Sequence, residues 1–281
     1  MREVSYYAPA NVGEAVKLLA ELGGNAAVLA GGTDLAPELN YYDAKPGALL
    51  YIGNLGLSYV KEEDGKLVIG AGTTIAQLLA NDLIAKKLDV VAQAAATHGS
   101  PAIRTAATIG GNLCQASPAG DAILPLMVSD AELVLASAKG ERVVAIKDFF
   151  TGPGESVRNP DELLIEIRVP LLAGKAAFAK LGRRKAQVLA IVSAAVRLEI
   201  EGGVCKNARI AIGSMAPTPV RCTKAEALIV GKKVDEALIA ECAAQAIAEC
   251  SPIDDQRATA WYRKEAGTAL VARVLARAAG V

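Results

Sequence analysis

The sequence predicts an α+β fold, and three observations carry that prediction. Short apolar runs of strand length alternate with capped, helix-periodic segments over the first 170 residues. Two glycine pairs, Gly31-Gly32 and Gly110-Gly111, interrupt this alternation where the flanking residues are small and polar. From Ala176 onward the pattern changes to an antiparallel meander followed by helices, so a boundary is expected between Pro170 and Lys175.

The composition narrows the function classes. A chain of 281 residues is long enough for two or three units with cores of their own, and 52% hydrophobic residues exclude disorder. Aromatics are only 4%, so the cores must be built from Ala, Val, Leu and Ile. Thirty basic residues balance thirty acidic ones, which argues against nucleic acid or an anionic membrane as the main partner. The opening residues lack the apolar stretch of a signal peptide and no run is long enough to span a membrane, so a soluble, cytoplasmic protein is expected. Five cysteines without close pairing and a single histidine, His98, predict neither a disulfide framework nor a metal site in this chain.

Taken in order, Asn11 and Glu14 form a capping-box signature ahead of Val12, Ala15, Val16, Leu19 and Leu22, a helix ended by Gly23-Gly24. Ala26 to Leu29 is a short buried strand running into Ala30-Gly31-Gly32-Thr33-Asp34-Leu35. Leu49 to Ile52 and Lys66 to Ile69 are strands. One helix begins near Ile75, and another runs from Leu83 through Thr97 until His98-Gly99-Ser100-Pro101 breaks it. After the second glycine pair, Ala131 to Ser137 and Arg142 to Ile146 pair as strands. Turn-rich sequence follows Phe149-Phe150, and Glu162 to Val169 is a strand stopped by Pro170. Beyond the boundary, Val188 to Ile200 and Val204 to Ile212 flank a Gly202-Gly203 turn. Thr223 with Glu226 is a second capping box, helices follow at Lys224 to Val230 and Asp235 to Cys250, and the last begins near Asp254-Asp255, burying Trp261, Leu270, Val274 and Leu275.

The stretch from Thr108 to Asp121 offers many neutral donors (Thr108, Asn112, Gln115, Ser117) and closes on one carboxylate. It reads equally as a loop for a large polar cofactor held largely by backbone amides or as a glycine-bearing turn of a packed core. Ala30 to Leu35 carries the same two readings: a nest of backbone amides able to face a diphosphate, or a tight strand-to-helix turn. The spacing is neither a P-loop nor the Rossmann fingerprint.

With both loops in place, the chain resembles the FAD-binding medium subunit of the molybdenum hydroxylases, the xanthine dehydrogenase family. The likeness covers essentially the whole chain. Its carriers are Ala30 to Leu35, Thr108 to Asn112, Ser117 to Asp121, the Gly152-Pro153-Gly154 turn, Thr218-Pro219-Val220-Arg221 and the Asp255 to Arg263 segment. The resemblance implies a p-cresol methylhydroxylase-type FAD-binding fold, with two α/β subdomains at 1–55 and 56–172 and a C-terminal α+β domain at 173–281. It implies FAD in this chain, with molybdopterin in a large partner subunit and [2Fe-2S] clusters in a small one. NAD or another acceptor would take the electrons.

The same resemblance assigns roles by position. The backbone of Gly31, Gly32 and Thr33 would cradle the pyrophosphate, Asp34 and Leu35 would complete the loop, and Leu29 and Ala30 join them as cofactor-binding residues. Thr108, Gly111, Asn112 and Ser117 would bind from the other side, and Asp121 would accept from a polar part of the cofactor. Leu164 and Lys180 would sit near the flavin or its tail, Lys180 as a cation favouring the reduced flavin; its other reading is a solvated lysine at a strand end. His98 would touch the flavin or its access channel, or else serve as a helix cap. No residue here is assigned a catalytic role or a metal.

Two departures matter. Ala102-Ile103-Arg104-Thr105 stands where many relatives carry Gln-Ile-Arg-Asn, and Lys185 to Leu189 lacks an acidic residue often seen near the flavin edge, so an NAD-facing environment does not follow. The absence of clustered cysteines argues against relatives whose flavin subunit carries an inserted [4Fe-4S] loop. The substrate stays open among purines, other N-heterocycles, aldehydes and aromatic acids, with a purine-type hydroxylase marginally preferred by resemblance. The rival function is a self-contained FAD-dependent reductase or oxidase of similar fold, and a third is a scaffold without cofactor.

Overall fold

The computed structural model describes residues 4–41 and 44–281. The first layer contains β1 (Ser5–Tyr7), α1 (Val12–Leu22), β2 (Ala26–Leu29), α2 (Leu35–Tyr41) and β3 (Ala48–Tyr51). The three strands form a parallel sheet in the order β1-β3-β2. At the start of α1, the Asn11 side chain accepts from Glu14 N at 2.9 Å, while the Glu14 carboxylate accepts from Ala10 N rather than from the cap's own amide. Ala15, Val16 and Leu19 of α1 pack on Leu50 and reach Ala136 and Leu163 of the next sheet, which ties the two layers together. Contrary to expectation, β2 is only half-buried. It lies at the sheet edge, and Val28 faces an open cleft.

The middle of the chain comprises β4 (Val60–Glu63), β5 (Lys66–Gly70), α3 (Ile75–Ala80), α4 (Asp82–Lys87), α5 (Asp89–Thr97), α6 (Pro101–Ala106), α7 (Ile109–Cys114), α8 (Ile123–Met127), β6 (Glu132–Ser137), β7 (Gly140–Ala145), β8 (Phe150–Gly152), β9 (Glu155–Ser156) and β10 (Leu163–Pro170). Five strands pair antiparallel in the order β4-β5-β10-β6-β7, and β8 with β9 make a separate hairpin.

The single helix expected from Leu83 to Thr97 is broken at Leu88, whose backbone leaves the helical region at φ −144°. Leu88 and Val90 would stand about 200° apart on a continuous helix. The break lets both enter the core, where each is buried. Residues 101–106 form α6, with Ser100 accepting from Ile103 N and Pro101 in the first turn. That Ser-Pro start signal is legible in the sequence. Thr108 to Cys114, expected as a loop, is α7 with its Thr108 cap.

The C-terminal part contains β11 (Lys175–Leu181), β12 (Val192–Glu201), β13 (Val204–Gly213), β14 (Val220–Arg221), α9 (Thr223–Ile229), α10 (Glu236–Ala248) and α11 (Ala260–Ala279). The four strands are antiparallel in chain order, and Gly202 and Gly203, both at positive φ, close the β12–β13 hairpin. One sheet face packs on α9–α11 through residues such as Val192, Val196 and Ile210. The other presents Phe178, Ala195 and Ala211 to the helical layer of the middle unit. Covered on both sides, β12 is buried continuously from Val192 to Leu198.

Two expectations fail here. The Thr223–Glu226 capping box does not form, because the Glu226 carboxylate is taken by Arg221 and by Ile210 N. The first-turn amides of α9, Lys224 and Ala225, donate instead to Glu249 at the end of α10. Trp261 is 71% exposed. Arg263, Gly267, Val271 and Val274 set the inward stripe of α11, and Trp261 lies off that stripe. Val274 and Leu275 are buried as expected, and Leu270 only partly. Among the described residues, no helix is long and apolar enough to cross a membrane.

Candidate functional site

The 30–35 loop, α7 and the 187–189 segment enclose a cleft of about 470 Å³, within the usual range for ligand pockets. Leaving β2, the chain turns at Gly31 and Gly32. A Cβ on Gly31 would stand 1.7 Å from the Ala106 carbonyl oxygen, so glycine is required for the loop to rest on the end of α6. Gly32 is needed for a different reason, its left-handed φ of +69°. The amides of Gly31, Gly32, Thr33 and Asp34 donate to no protein acceptor among the described residues. Burial, then the charge of Glu38, push the Asp34 carboxyl up, opposed by Thr33.

The facing wall differs. At the start of α7, Ile109 N donates to Thr73 O, Gly110 N to Ala71 O, Gly111 N to the Thr108 hydroxyl and Asn112 N to Thr108 O, at 2.9–3.0 Å. These amides are spent on the fold. The expectation that this loop supplies main-chain donors is therefore corrected: its first-turn amides close the helix and its contact with the 71–73 segment. The glycines serve close approach, since a Cβ on Gly110 would meet Ala71 Cβ at 2.7 Å. The Asn112 side-chain Oδ1 accepts from Ala122 N, and the Ser117 hydroxyl from Ala119 N.

At one end of the cleft, Asp121 Oδ2 is 2.7 Å from Lys180 Nζ, and Lys180 also donates to Thr97 O and Val188 O. Lys180 is thus buried and fully paired, not a solvated lysine. Burial pushes the Asp121 carboxyl up, and Lys180 pulls it down. His98, the C-cap of α5, lies 3.5 Å from Asp121 Oδ2. Burial first, then Lys180 and Arg104, push its imidazole down to about 4, so it is neutral at pH 7 and the contact is no ion pair. His98 Nδ1 and Asp121 Oδ1 are both buried and have no hydrogen-bond partner among the described residues. At the other end, Gln115 Nε2 donates to Glu38 at 3.1 Å, and Glu162 is held by Arg142 through two hydrogen bonds of 2.5 and 2.8 Å.

Of the fifteen residues singled out from the sequence, all but Leu29 and Lys180 line the cleft, and Lys180 stands directly behind Asp121. Leu29 instead supports Gly32 from beneath, 3.3 Å from where its Cβ would be. Sequence reasoning missed Arg158; Gln187, Val188 and Leu189, from the segment that the resemblance set near the flavin edge, also line the cleft. These come from turn-rich segments without a motif, and only the pairing of β10 and β11 with their neighbours carries them to the cleft.

Residues 2–172 match the family described as the FAD binding domain in molybdopterin dehydrogenase, and residues 176–278 the CO dehydrogenase flavoprotein C-terminal domain. The chain belongs to this molybdopterin dehydrogenase flavoprotein family. It is 34% identical to the glyceraldehyde dehydrogenase medium chain of Sulfolobus acidocaldarius over 94% of each chain. It is also 34% identical to the xanthine dehydrogenase FAD-binding subunit of Escherichia coli O157:H7, over 79% of this chain and 77% of that one. Among solved structures, carbon monoxide dehydrogenase from Hydrogenophaga pseudoflava superposes with a TM-score of 0.95 at 34% identity, covering 99% of this chain and 98% of that chain. The p-cresol methylhydroxylase-type architecture expected from the sequence is therefore the fold of the chain, a flavoprotein subunit of an oxidoreductase.

The residues of the cleft fit the cofactor of the family. Four unspent amides at a glycine turn suit the oxygens of a diphosphate, and the orphaned Asp121 Oδ1 is an acceptor for a buried donor.

Proposed function

We propose that this FAD-binding subunit of a molybdenum hydroxylase-type complex works as its electron relay in the cytoplasm. It would accept electrons from the [2Fe-2S] clusters of a small partner subunit, which is fed by a molybdopterin-binding large subunit, and pass them to NAD or another acceptor. The division of labour would follow units at 1–55, 56–172 and 173–281. When bound, FAD supplies the two-electron and one-electron chemistry that joins clusters to acceptor. The observation that carries the reading is the contrast between the cleft walls: the 31–34 amides are unspent while the facing α7 amides are bonded within the fold.

In this reading Gly31, Gly32, Thr33 and Asp34 hold the pyrophosphate through their amides, with Ala30 and Leu35 fixing the ends of the loop. Thr108, Gly111, Asn112, Ser117 and Leu164 shape the opposite wall. His98 and Asp121 offer polar atoms at the far end, and Lys180 holds the Asp121 carboxylate in place. The relay is favoured over a self-contained reductase because the two titratable groups at that end are committed: Asp121 to Lys180, and His98 to a buried neutral form. The relatives' names span an aldehyde, a purine and carbon monoxide, which supports placing substrate choice on another chain.

Purification of the chain and measurement of flavin absorbance tests the first step, with one FAD per chain expected. Absence of flavin after reconstitution overturns the reading. Affinity capture should return chains carrying molybdenum and [2Fe-2S] clusters; capture of neither would leave an FAD protein that is not this relay.

A further inference from the structure

The cleft wall carries four carboxylates, those of Asp34, Glu38, Asp121 and Glu162, against one lining cation, Arg158. A dinucleotide brings two further negative charges into this place, so the position of each cation decides whether they are tolerated. Lys180 is answered by Asp121 and Arg142 by Glu162. Arg158 has no carboxylate partner among the described residues. The nearby Glu162 carboxylate is bound by Arg142 and by Asn159 N.

Arg158 is nevertheless held in place. Its Nη1 donates to Asn159 O at 3.1 Å and to Glu162 O at 2.8 Å, which fixes the guanidinium plane. Nε and Nη2 have no protein partner among the described residues, and the residue lines the cleft. A guanidinium anchored along one edge and open along the other is prepared for a planar, bidentate contact with an oxyanion. Its location agrees. In the hairpin just before Arg158, Gly154 N donates to Ala116 O just past the end of α7, the adjacent Gln115 donates to Glu38, and Glu38 N donates to Asp34 O, the last residue of the amide turn. Arg158 therefore stands at the end of the cleft where the two loops meet, away from the His98–Asp121 end.

We propose that Arg158 is the phosphate-binding cation of the cleft, pairing with the diphosphate of the ADP half of FAD opposite the Gly31–Asp34 amides. The inference rests on the FAD reading above. It gives the site a means of selecting a dinucleotide over an uncharged flavin: riboflavin would leave Arg158 unanswered and pay for its desolvation without return.

Titration calorimetry on the flavin-free full chain tests it with FAD, ADP and riboflavin as probes. Arg158→Gln should weaken FAD and ADP alike by about tenfold to a hundredfold, the usual worth of a charge-assisted hydrogen bond pair, and riboflavin by less than about twofold. Arg158→Lys should recover part of the loss and keep the salt dependence of ADP binding, which Arg158→Gln should flatten. Equal weakening of all three probes, or no change in any, overturns the proposal, the first pointing to a merely structural anchor for the 157–163 turn. A wild-type chain that binds neither FAD nor riboflavin overturns the FAD reading itself and this proposal with it.

Discussion

Lys180 Nζ lies 2.7 Å from Asp121 Oδ2, joining a strand of the C-terminal sheet to the loop after α7, with the two side chains only 4% and 10% exposed. A buried pair of this kind contributes little over a well-packed apolar pair, but removing one partner leaves a desolvated charge. Lys180→Met should cost about 3–5 kcal/mol. Adding Asp121→Asn to it should recover much of that loss. Urea midpoints of the wild type and the two variants give the answer; a single-variant loss under about 1 kcal/mol would mean that the pair is not buried.

His98 makes stability depend on pH. Its folded imidazole is pushed from 6.5 down to about 4, so the unfolded chain binds the proton more readily. The contribution is present above pH 6.5 and is lost as pH falls from 6.5 towards 4, by up to about 3 kcal/mol. Asp121, whose carboxyl is raised by burial, works in the opposite sense. His98→Gln should flatten the stability profile over that window in denaturation measured pH by pH, and an unchanged profile would place the histidine in solvent.

The two glycines of the first loop should fail differently. Gly31→Ala drives a methyl into the Ala106 carbonyl, displacing backbone, and should lower both stability, by about 1–3 kcal/mol, and flavin content. At Gly32 an added Cβ meets the Leu29 side chain at 3.3 Å and Ala36 Cβ at 3.9 Å, and the substitution to Val faces a positive φ. It should keep the fold at a cost of about 1–2 kcal/mol while losing FAD. Thermal melts paired with flavin absorbance per chain separate the cases. Full flavin retention by Gly32→Val would reduce the loop to a turn.

Arg263 and Trp261 sit two residues apart on α11 with opposite expectations. Arg263 is buried and donates to Ile191 O at 2.5 Å, Ser214 O at 3.1 Å and Asp255 at 2.8 Å. Desolvation works to raise the Asp255 carboxyl, but the hydrogen bonds it accepts from Arg257, Arg263 and Ala258 outweigh it and hold the group down to about 2. Arg263→Met strips these acceptors and should cost about 3 kcal/mol or more. Trp261→Ala, at an exposed position, should change stability by less than about 0.5 kcal/mol. The reverse order in urea midpoints would show that α11 is rotated from the register given.

Periodicity and turn chemistry, being local, were legible. Asn11 and Gly23 bound α1, and Gly202-Gly203 closes its hairpin, because caps and left-handed turns are decided within a few residues. Where a distant group competes, local signals mislead. Glu226 forms no capping box because Arg221 and Ile210 N reach it first, and Trp261 is exposed because the inward stripe of α11 is set by what it packs against.

Local pattern was enough to read the α+β order of elements, the two glycine turns and, through the resemblance these carried, the family and its cofactor. What each glycine is for came from the packing. Gly31 yields to the Ala106 carbonyl and Gly110 to Ala71, contacts made between segments dozens of residues apart. The packing also decided which amides stay unspent, that Lys180 is neutralised behind Asp121, and that Arg158 lines the cleft with no carboxylate partner among the described residues. The reason is physical: a donor's availability and a charge's partner depend on which distant atoms burial brings within about 3 Å, and no local pattern in the chain encodes that distance.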